Sequence, residues 1–324
     1  MNLKTDGLKV PRKMEERFLY TTLGLIGREQ LGVILPHEHV FVDLRTPDKP
    51  GYAEADVAEV VALMAPRIEE AKARGIGAIV ECSTTGVGRR ADFDLAVSRA
   101  TNFPLVVPTG SYREPWITPF VRDADGAALE GWMYGELTER LTEADYRAGW
   151  IKLSVGNDGI TRLEEKILRA AARAAIRTGA VIGSHTQRGS VALKQLDILL
   201  EEGCPANQFI WIHTQNEKDL GFHDAVVSRG GWIEYDHISR APDEDVMALI
   251  LRVLAAGTGG SLLISQDVGW FDPAKPGGGT QRPYTYLSDV MLPLLRKAGV
   301  EEQTLKMLTQ DNPFDAFSRS ASTG

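Results

Sequence analysis

Leu35-Pro36-His37-Glu38-His39-Val40-Phe41-Val42-Asp43 places two imidazoles two residues apart inside an apolar, β-branched run, which predicts a strand. Side chains alternate faces along a strand, so His37 and His39 leave it on one side and Glu38 on the other. A pair placed this way can grip one metal ion. The helical zinc motif H-E-x-x-H needs a spacing of four, so this stretch is no metalloprotease helix despite its Glu. Taken alone, two hydrogen-bonded core histidines would fit equally well, and the rest of the chain has to decide.

The same strand opens a regular alternation that runs almost to the C-terminus. Strand-like runs fall at 33–43, 78–83, 105–109, 150–155, 181–186, 209–214, 232–237 and 261–267. Between them lie helical patterns at 53–74, 90–102, 129–145, 162–178, 190–202, 219–229, 242–256 and 284–298, the third interrupted by Gly131 and Gly135. Gly75, Gly179, Gly203, Gly230, Gly257 and Gly299 each follow a helical pattern, as a left-handed C-terminal cap requires. Eight strand–helix units with short, nearly continuous apolar strands predict a closed parallel (β/α)8 TIM barrel. An open doubly wound sheet is the rival, but no G-x-G-x-x-G follows the first strand, and the Gly277-Gly278-Gly279 run reads as mobile loop. Residues 18–32 read as a short N-terminal β-hairpin covering the barrel bottom. No domain boundary or internal repeat appears, so residues 1–324 are expected to form one domain.

Composition narrows the function classes. With 43% hydrophobic and 25% charged residues and a net charge of −8, the chain carries no basic footprint for nucleic acid. The first sixteen residues are charged, and no run of about 18 apolar residues occurs, so no membrane span is expected and the location is expected to be cytoplasmic. Cys82 and Cys204 are the two cysteines and read as free thiols.

On the barrel map, His185 ends the fifth strand, His213 the sixth and Asp267 the eighth. Barrel active sites sit at the C-terminal ends of the strands. With His37 and His39, four of the six histidines and one carboxylate therefore converge on one end. Imidazole and carboxylate donors suit zinc and neighbouring divalent metals. The fourth strand adds Lys152, flanked by Ile151 and Leu153, where an unpaired ammonium would be costly to bury. It either pairs with a carboxylate or gives up its proton and captures carbon dioxide as a carbamate able to bridge two metals.

At these residues the sequence resembles the phosphotriesterase family of the amidohydrolase superfamily. The matching stretches are Leu31-Gly32-Val33-Ile34-Leu35-Pro36-His37-Glu38-His39, Gly149-Trp150-Ile151-Lys152, Ile182-Gly183-Ser184-His185-Thr186, Ile210-Trp211-Ile212-His213, Tyr235-Asp236-His237-Ile238, Leu263-Ile264-Ser265-Gln266-Asp267 and Asn312-Pro313. The resemblance implies two divalent metal ions in a (β/α)8 barrel. His37, His39 and Asp267 would hold the more buried ion and His185 and His213 the more exposed one, with carbamylated Lys152 bridging them. One stretch departs from the organophosphate-degrading enzymes: Gly110-Ser111-Tyr112-Arg113-Glu114-Pro115-Trp116 looks like the tyrosine-bearing lactonase-like branch.

The expected reaction is hydrolysis of lactones or carboxylic esters by a metal-bridging hydroxide, with phosphotriesterase (aryldialkylphosphatase) activity as the second reading. A catalytically silent metal-binding barrel is disfavoured because every ligand that the resemblance implies is present. Asp267 is expected to accept the proton, Tyr112 to supply a hydroxyl beside the exposed ion, and His237 to lie near the ligands or the leaving group. Arg113 and Arg240 are candidates for an anionic substituent. Trp116 and Trp132 could form an aromatic wall, and the long loop after the eighth strand suggests an apolar or amphiphilic substrate. His223 reads as a surface histidine. The expected partners are a small-molecule lactone, ester or phosphotriester and, as the assembly considered, a second copy in a homodimer.

Overall fold

In the computed structural model of the protein, which describes residues 16–321, the H-x-H run is the first of eight barrel strands. These are β1 (Val33–Phe41), β2 (Ile76–Glu81), β3 in two pieces (Leu105–Val106 and Pro108–Thr109), β4 (Trp150–Ser154), β5 (Ile182–His185), β6 (Phe209–Ile212), β7 (Trp232–Tyr235) and β8 (Leu262–Ile264). All pairings among them are parallel, and each follows its predecessor around the sheet. Two seams complete the ring. At β3 the break at Val107 is bridged by Gly149 N–H donating to the Val107 carbonyl at 2.9 Å. After β8 the chain runs on beside β1, with Asp267 N–H donating to His37 O at 3.1 Å and His39 N–H to Val268 O at 2.9 Å, before a short strand, Gly269–Phe271, pairs with β1. The architecture is the (β/α)8 barrel that the alternation predicts.

Helices follow the strands near the predicted places, for example Val57–Lys72, Arg162–Thr178 and Asp243–Ala255. The six cap glycines all have positive φ, between 72° and 94°. At Gly179 that left-handed residue ends the Arg162–Thr178 helix, whose start is fixed by a capping box between Thr161 and Glu164. The third helix differs from its prediction: Asp125 caps a helix at Gly126–Thr138, and 139–149 return without helical structure. Two glycines leave too little apolar periodicity to mark its ends.

Side chains pointing into the barrel fill its lower half. Ile34, Ala78, Val80, Val106, Trp150, Ile210, Ile212 and Leu263 form one cluster, closed from beneath by Leu19, Phe314 and Phe317. A β-carbon on Gly183 would stand 2.6 Å from the Trp150 ring, so that glycine makes room for the indole. Leu19 belongs to a hairpin, Arg17–Thr21 and Gly24–Ile26, which sits under the barrel as predicted. Its third strand, Arg319–Ser320, comes from the C-terminal end of the described chain and was not legible in the sequence. With the bottom packed, the upper half is left to polar residues. No helix among the described residues is long and apolar enough to cross a membrane.

Candidate metal centre

Strand alternation puts Trp150 and Lys152 on the same inward side of β4, the indole below and the amine above it, with Nζ 5.8 Å from the ring centre. His37 and His39 face the same space from β1. His185 is the last residue of β5, His213 follows β6 and Asp267 follows β8. His213 and Asp267 adopt φ of 63° and 55°, and Ser239 and Trp270 nearby are also left-handed. Non-glycine residues rarely take this conformation and do so where a site needs a side chain re-aimed. All six predicted donors line one cavity of about 570 Å³, together with Tyr112, His237 and Arg240.

The imidazoles are close. Ring centres are 5.5 Å apart for His37 and His39, 5.1 Å for His37 and His213, and 4.4 Å for His185 and His213. Oxygen atoms back three of them on Nδ1. His37 Nδ1 lies 2.6 Å from Glu234 Oε1, His39 Nδ1 is 2.9 Å from Ser83 Oγ, and His213 Nδ1 is 2.8 Å from Asp236 Oδ1. Partners on Nδ1 leave the Nε2 lone pairs for the cavity, as a metal site requires. There Asp267 Oδ1 stands 3.1 Å from His39 Nε2 and 3.8 Å from His37 Nε2. His185 has its Nδ1 3.2 Å from the Tyr112 hydroxyl, while its buried Nε2 has no hydrogen-bond partner. An orphaned buried imidazole nitrogen calls for an explanation, and a metal-binding role supplies one. Ligand atoms of His37, His39 and Asp267 come within 4.8 Å of one another, as do those of His213, Asp236, His237 and Asp267. The residues present fit a metal centre.

The charge states agree. Burial and the Lys152 charge push the His37 imidazole down to about 3, so it is neutral. Burial, with the charges of His213, Lys152 and Arg113, holds the His185 imidazole well below its ordinary value. Burial opposes ionisation of Asp267, yet the hydrogen bond from His39 and the nearby imidazole charges hold its carboxyl well below the usual range. For His39 burial is outweighed by Asp267 and Glu81, which raise it to about 9, so it carries a proton that a bound cation would replace. Burial raises the Tyr112 phenol to about 12 and keeps its hydroxyl a donor.

Some expectations need correction. His223 is buried, not on the surface: its Nδ1 is 2.8 Å from the Tyr235 hydroxyl and its Nε2 3.2 Å from the Glu217 carbonyl. Trp132 packs on Phe120 away from the cavity, and Trp116 hydrogen-bonds the Leu44 carbonyl and braces Tyr112 from behind, so neither lines the cavity. Trp270 does so instead. Arg113 lies outside the cavity, 3.4 Å from the Val155 carbonyl. The triple-glycine segment is a hydrogen-bonded turn with Gly278 packed on Phe271. His237 is partly exposed, 3.8 Å from Asp236. Glu81, Glu234 and Asp236, which back the imidazoles, were not singled out. Glu234 and Asp236 are fully buried at alternate positions of one strand segment, and that i, i+2 signal is the one that identified His37 and His39.

A model of the phosphotriesterase family matches residues 17–317. A phosphotriesterase homology protein of Mycobacterium tuberculosis is 29% identical over 93% of this chain and 98% of its own length. An aryldialkylphosphatase of Saccharolobus solfataricus is 24% identical over 90% and 97%. Among solved structures, a variant of a phosphotriesterase-like lactonase from Deinococcus radiodurans superposes with a TM-score of 0.83 at 29% identity, covering 92% of this chain and 99% of that one.

Proposed function

The chain belongs to the phosphotriesterase family of hydrolases, and from that premise we propose that it is a single-domain binuclear metal-dependent hydrolase of lactones or carboxylic esters. The observation that carries the reading is the convergence of His37, His39, Lys152, His185, His213 and Asp267 on one cavity whose outer partners are oxygens set behind the imidazoles. His37, His39 and Asp267 would hold one ion, His185 and His213 the other, and Lys152 as a carbamate would bridge them. Zinc suits this donor set. When bound, the ions would activate water and polarise the substrate oxygen.

The residues divide the remaining work. Asp267 is ionised and fixed on its far side by Arg240, whose guanidinium donates to Oδ2 and, at 3.2 Å, to the backbone carbonyl. It is set to take the proton from the attacking water and pass it toward the leaving group. Asp236 holds His213 in one tautomer and Glu234 backs His37, so the imidazoles are oriented before substrate arrives. The Tyr112 hydroxyl stands beside His185 as a donor for the substrate oxygen, and His237 lies at the leaving-group side. Val42, Leu44, Val87 and Trp270 give the cavity apolar walls. Cleavage of phosphotriesters is the second reading, favoured by the aryldialkylphosphatase relative. We place the enzyme in the cytoplasm, with a homodimer as the assembly to test.

Protein purified without chelators is expected to carry about two divalent ions per chain. Elemental analysis after reconstitution reads this directly, and saturation at one ion would end the binuclear reading. Activity should then be compared across lactones, aryl esters and phosphotriesters. For Tyr112→Phe, losing one neutral hydrogen bond should lower kcat/KM for lactones about three- to tenfold. The loss for aryl phosphotriesters should be smaller. An equal loss on both classes would make Tyr112 a packing residue.

A further inference from the structure

Glu38 stands between His37 and His39 on β1 and points away from the metal-ligand cavity, which it does not line. It is completely buried, and no step of the hydrolysis uses it. A buried carboxylate is costly unless its acceptor positions are filled. Here one short segment fills them. Oε1 accepts from the Ser265 hydroxyl at 2.9 Å, from Gln266 N–H at 3.1 Å and from Gln266 Nε2 at 3.2 Å, while Oε2 accepts from Val268 N–H at 2.8 Å.

Asp267 is the member of 265–268 that Glu38 does not hold directly. Its own N–H donates to the His37 carbonyl at 3.1 Å, so the three successive amides of 266–268 all bond to two adjacent residues of β1. Between them Asp267 has a φ of 55°, a conformation that a residue with a side chain rarely keeps unless its surroundings hold it there. Neighbouring bonds brace the same bend. Ser265 Oγ accepts from His37 N–H at 3.0 Å, Gln266 Nε2 also donates to Tyr284 O at 2.8 Å, and the Tyr284 hydroxyl donates to His39 O at 2.7 Å. The frame thus ties the strand that carries His37 and His39 to the bend that carries Asp267, with the Glu38 carboxylate at its centre.

We propose that Glu38 is a positioning residue for Asp267: its carboxylate fixes the left-handed bend and so sets the Asp267 carboxylate against the Nε2 atoms of His37 and His39. The inference rests on the reading of Asp267 as metal ligand and proton acceptor, while the bend itself is measurable without metal or turnover. Glu38→Gln keeps the volume of the side chain and turns one acceptor oxygen into a donor, which either Val268 N–H or the Ser265 and Gln266 donors must then face.

The test has three readouts. In the apoprotein, backbone hydrogen exchange over 265–268 should be about tenfold faster in Glu38→Gln, with the Arg162–Thr178 helix unchanged as internal control. In the zinc-loaded protein, kcat on the ester and lactone panel should fall about 10- to 100-fold, and a chelator should strip zinc roughly tenfold faster. Combined with Asp267→Asn, neither loss should recur, and the double variant should stay within about twofold of Asp267→Asn alone in both measurements. Ser265→Ala removes a single hydroxyl from the frame and should give smaller changes in the same direction, about threefold, which keeps the test available if Glu38→Gln does not fold. Unchanged exchange at 265–268, or a lower melting temperature with kcat and stripping rate intact, overturns the inference. So does a loss of full size on top of Asp267→Asn, which would route the effect through another group. Faster exchange in a protein that binds no zinc, or cleaves no ester or lactone, would instead overturn the hydrolase reading and leave the dependence of the bend on Glu38 standing.

Discussion

Asp267→Asn is expected to lower kcat on the order of 10²- to 10⁴-fold while metal content stays near that of the unaltered protein. The substitution keeps the shape of the side chain and removes its charge and its ability to take a proton. In the structure one carboxylate oxygen faces His39 and His37, and the other is held by Arg240. An amide oxygen can still face the imidazoles, and four imidazoles and Lys152 remain to hold metal, so binding should suffer far less than turnover. The Asn variant also leaves the Arg240 guanidinium without its carboxylate. That cost should appear as a modest drop in thermal stability, because Arg240 is partly exposed and its charge is screened. Elemental analysis and steady-state kinetics on the same preparation separate the two effects. Near-native turnover with full metal content would remove Asp267 from proton handling.

The fold was legible because its signals are local and repeated. Each barrel unit presents an apolar run and a helical pattern, six of the eight are closed by a cap glycine, and those six glycines do adopt the left-handed conformation. The donors were legible for a related reason: β1 alternates, and the ends of parallel strands in a barrel share one face. Glu234 and Asp236 were missed although they follow the same alternation, because two carboxylates in a buried strand look costly until their imidazole partners from β1 and the end of β6 are known. The burial of His223 depends on Tyr235, twelve residues away on β7, and no pattern within its own helix announces that contact. The pairing of Arg17 with Ser320 joins residues about three hundred positions apart through a two-residue strand, too short to carry a periodicity. The aromatic wall failed for a simpler reason. Loop aromatics were read by type, and it was local packing that sent Trp132 to Phe120 and brought Trp270 to His39.

Lys152→Ala should abolish metal binding and activity together. Lys152 is 2% exposed and lines the cavity with the four imidazoles and Asp267. Two dications held by four neutral imidazoles and one carboxylate would leave a large uncompensated charge in a buried place, and the site needs a further anion near its centre. Carbamylation would supply it: the free amine nitrogen would bond to the carbon of carbon dioxide and lose a proton, giving a product with one negative charge and two oxygens as donors for the metals. Bound ions would in turn disfavour loss of carbon dioxide, so carbamate and metal should stabilise each other. Loss of activity should therefore exceed the roughly 10- to 100-fold that follows removal of a partner behind a ligand. Short carboxylic acids added with metal should restore part of both properties by filling the space left by the side chain, and bicarbonate should accelerate reconstitution of the unaltered apoprotein. If a metal-loaded crystal showed Lys152 ending at an unmodified nitrogen and bicarbonate left the reconstitution rate unchanged, the bridging anion would have to come from elsewhere, even with the four histidines in place.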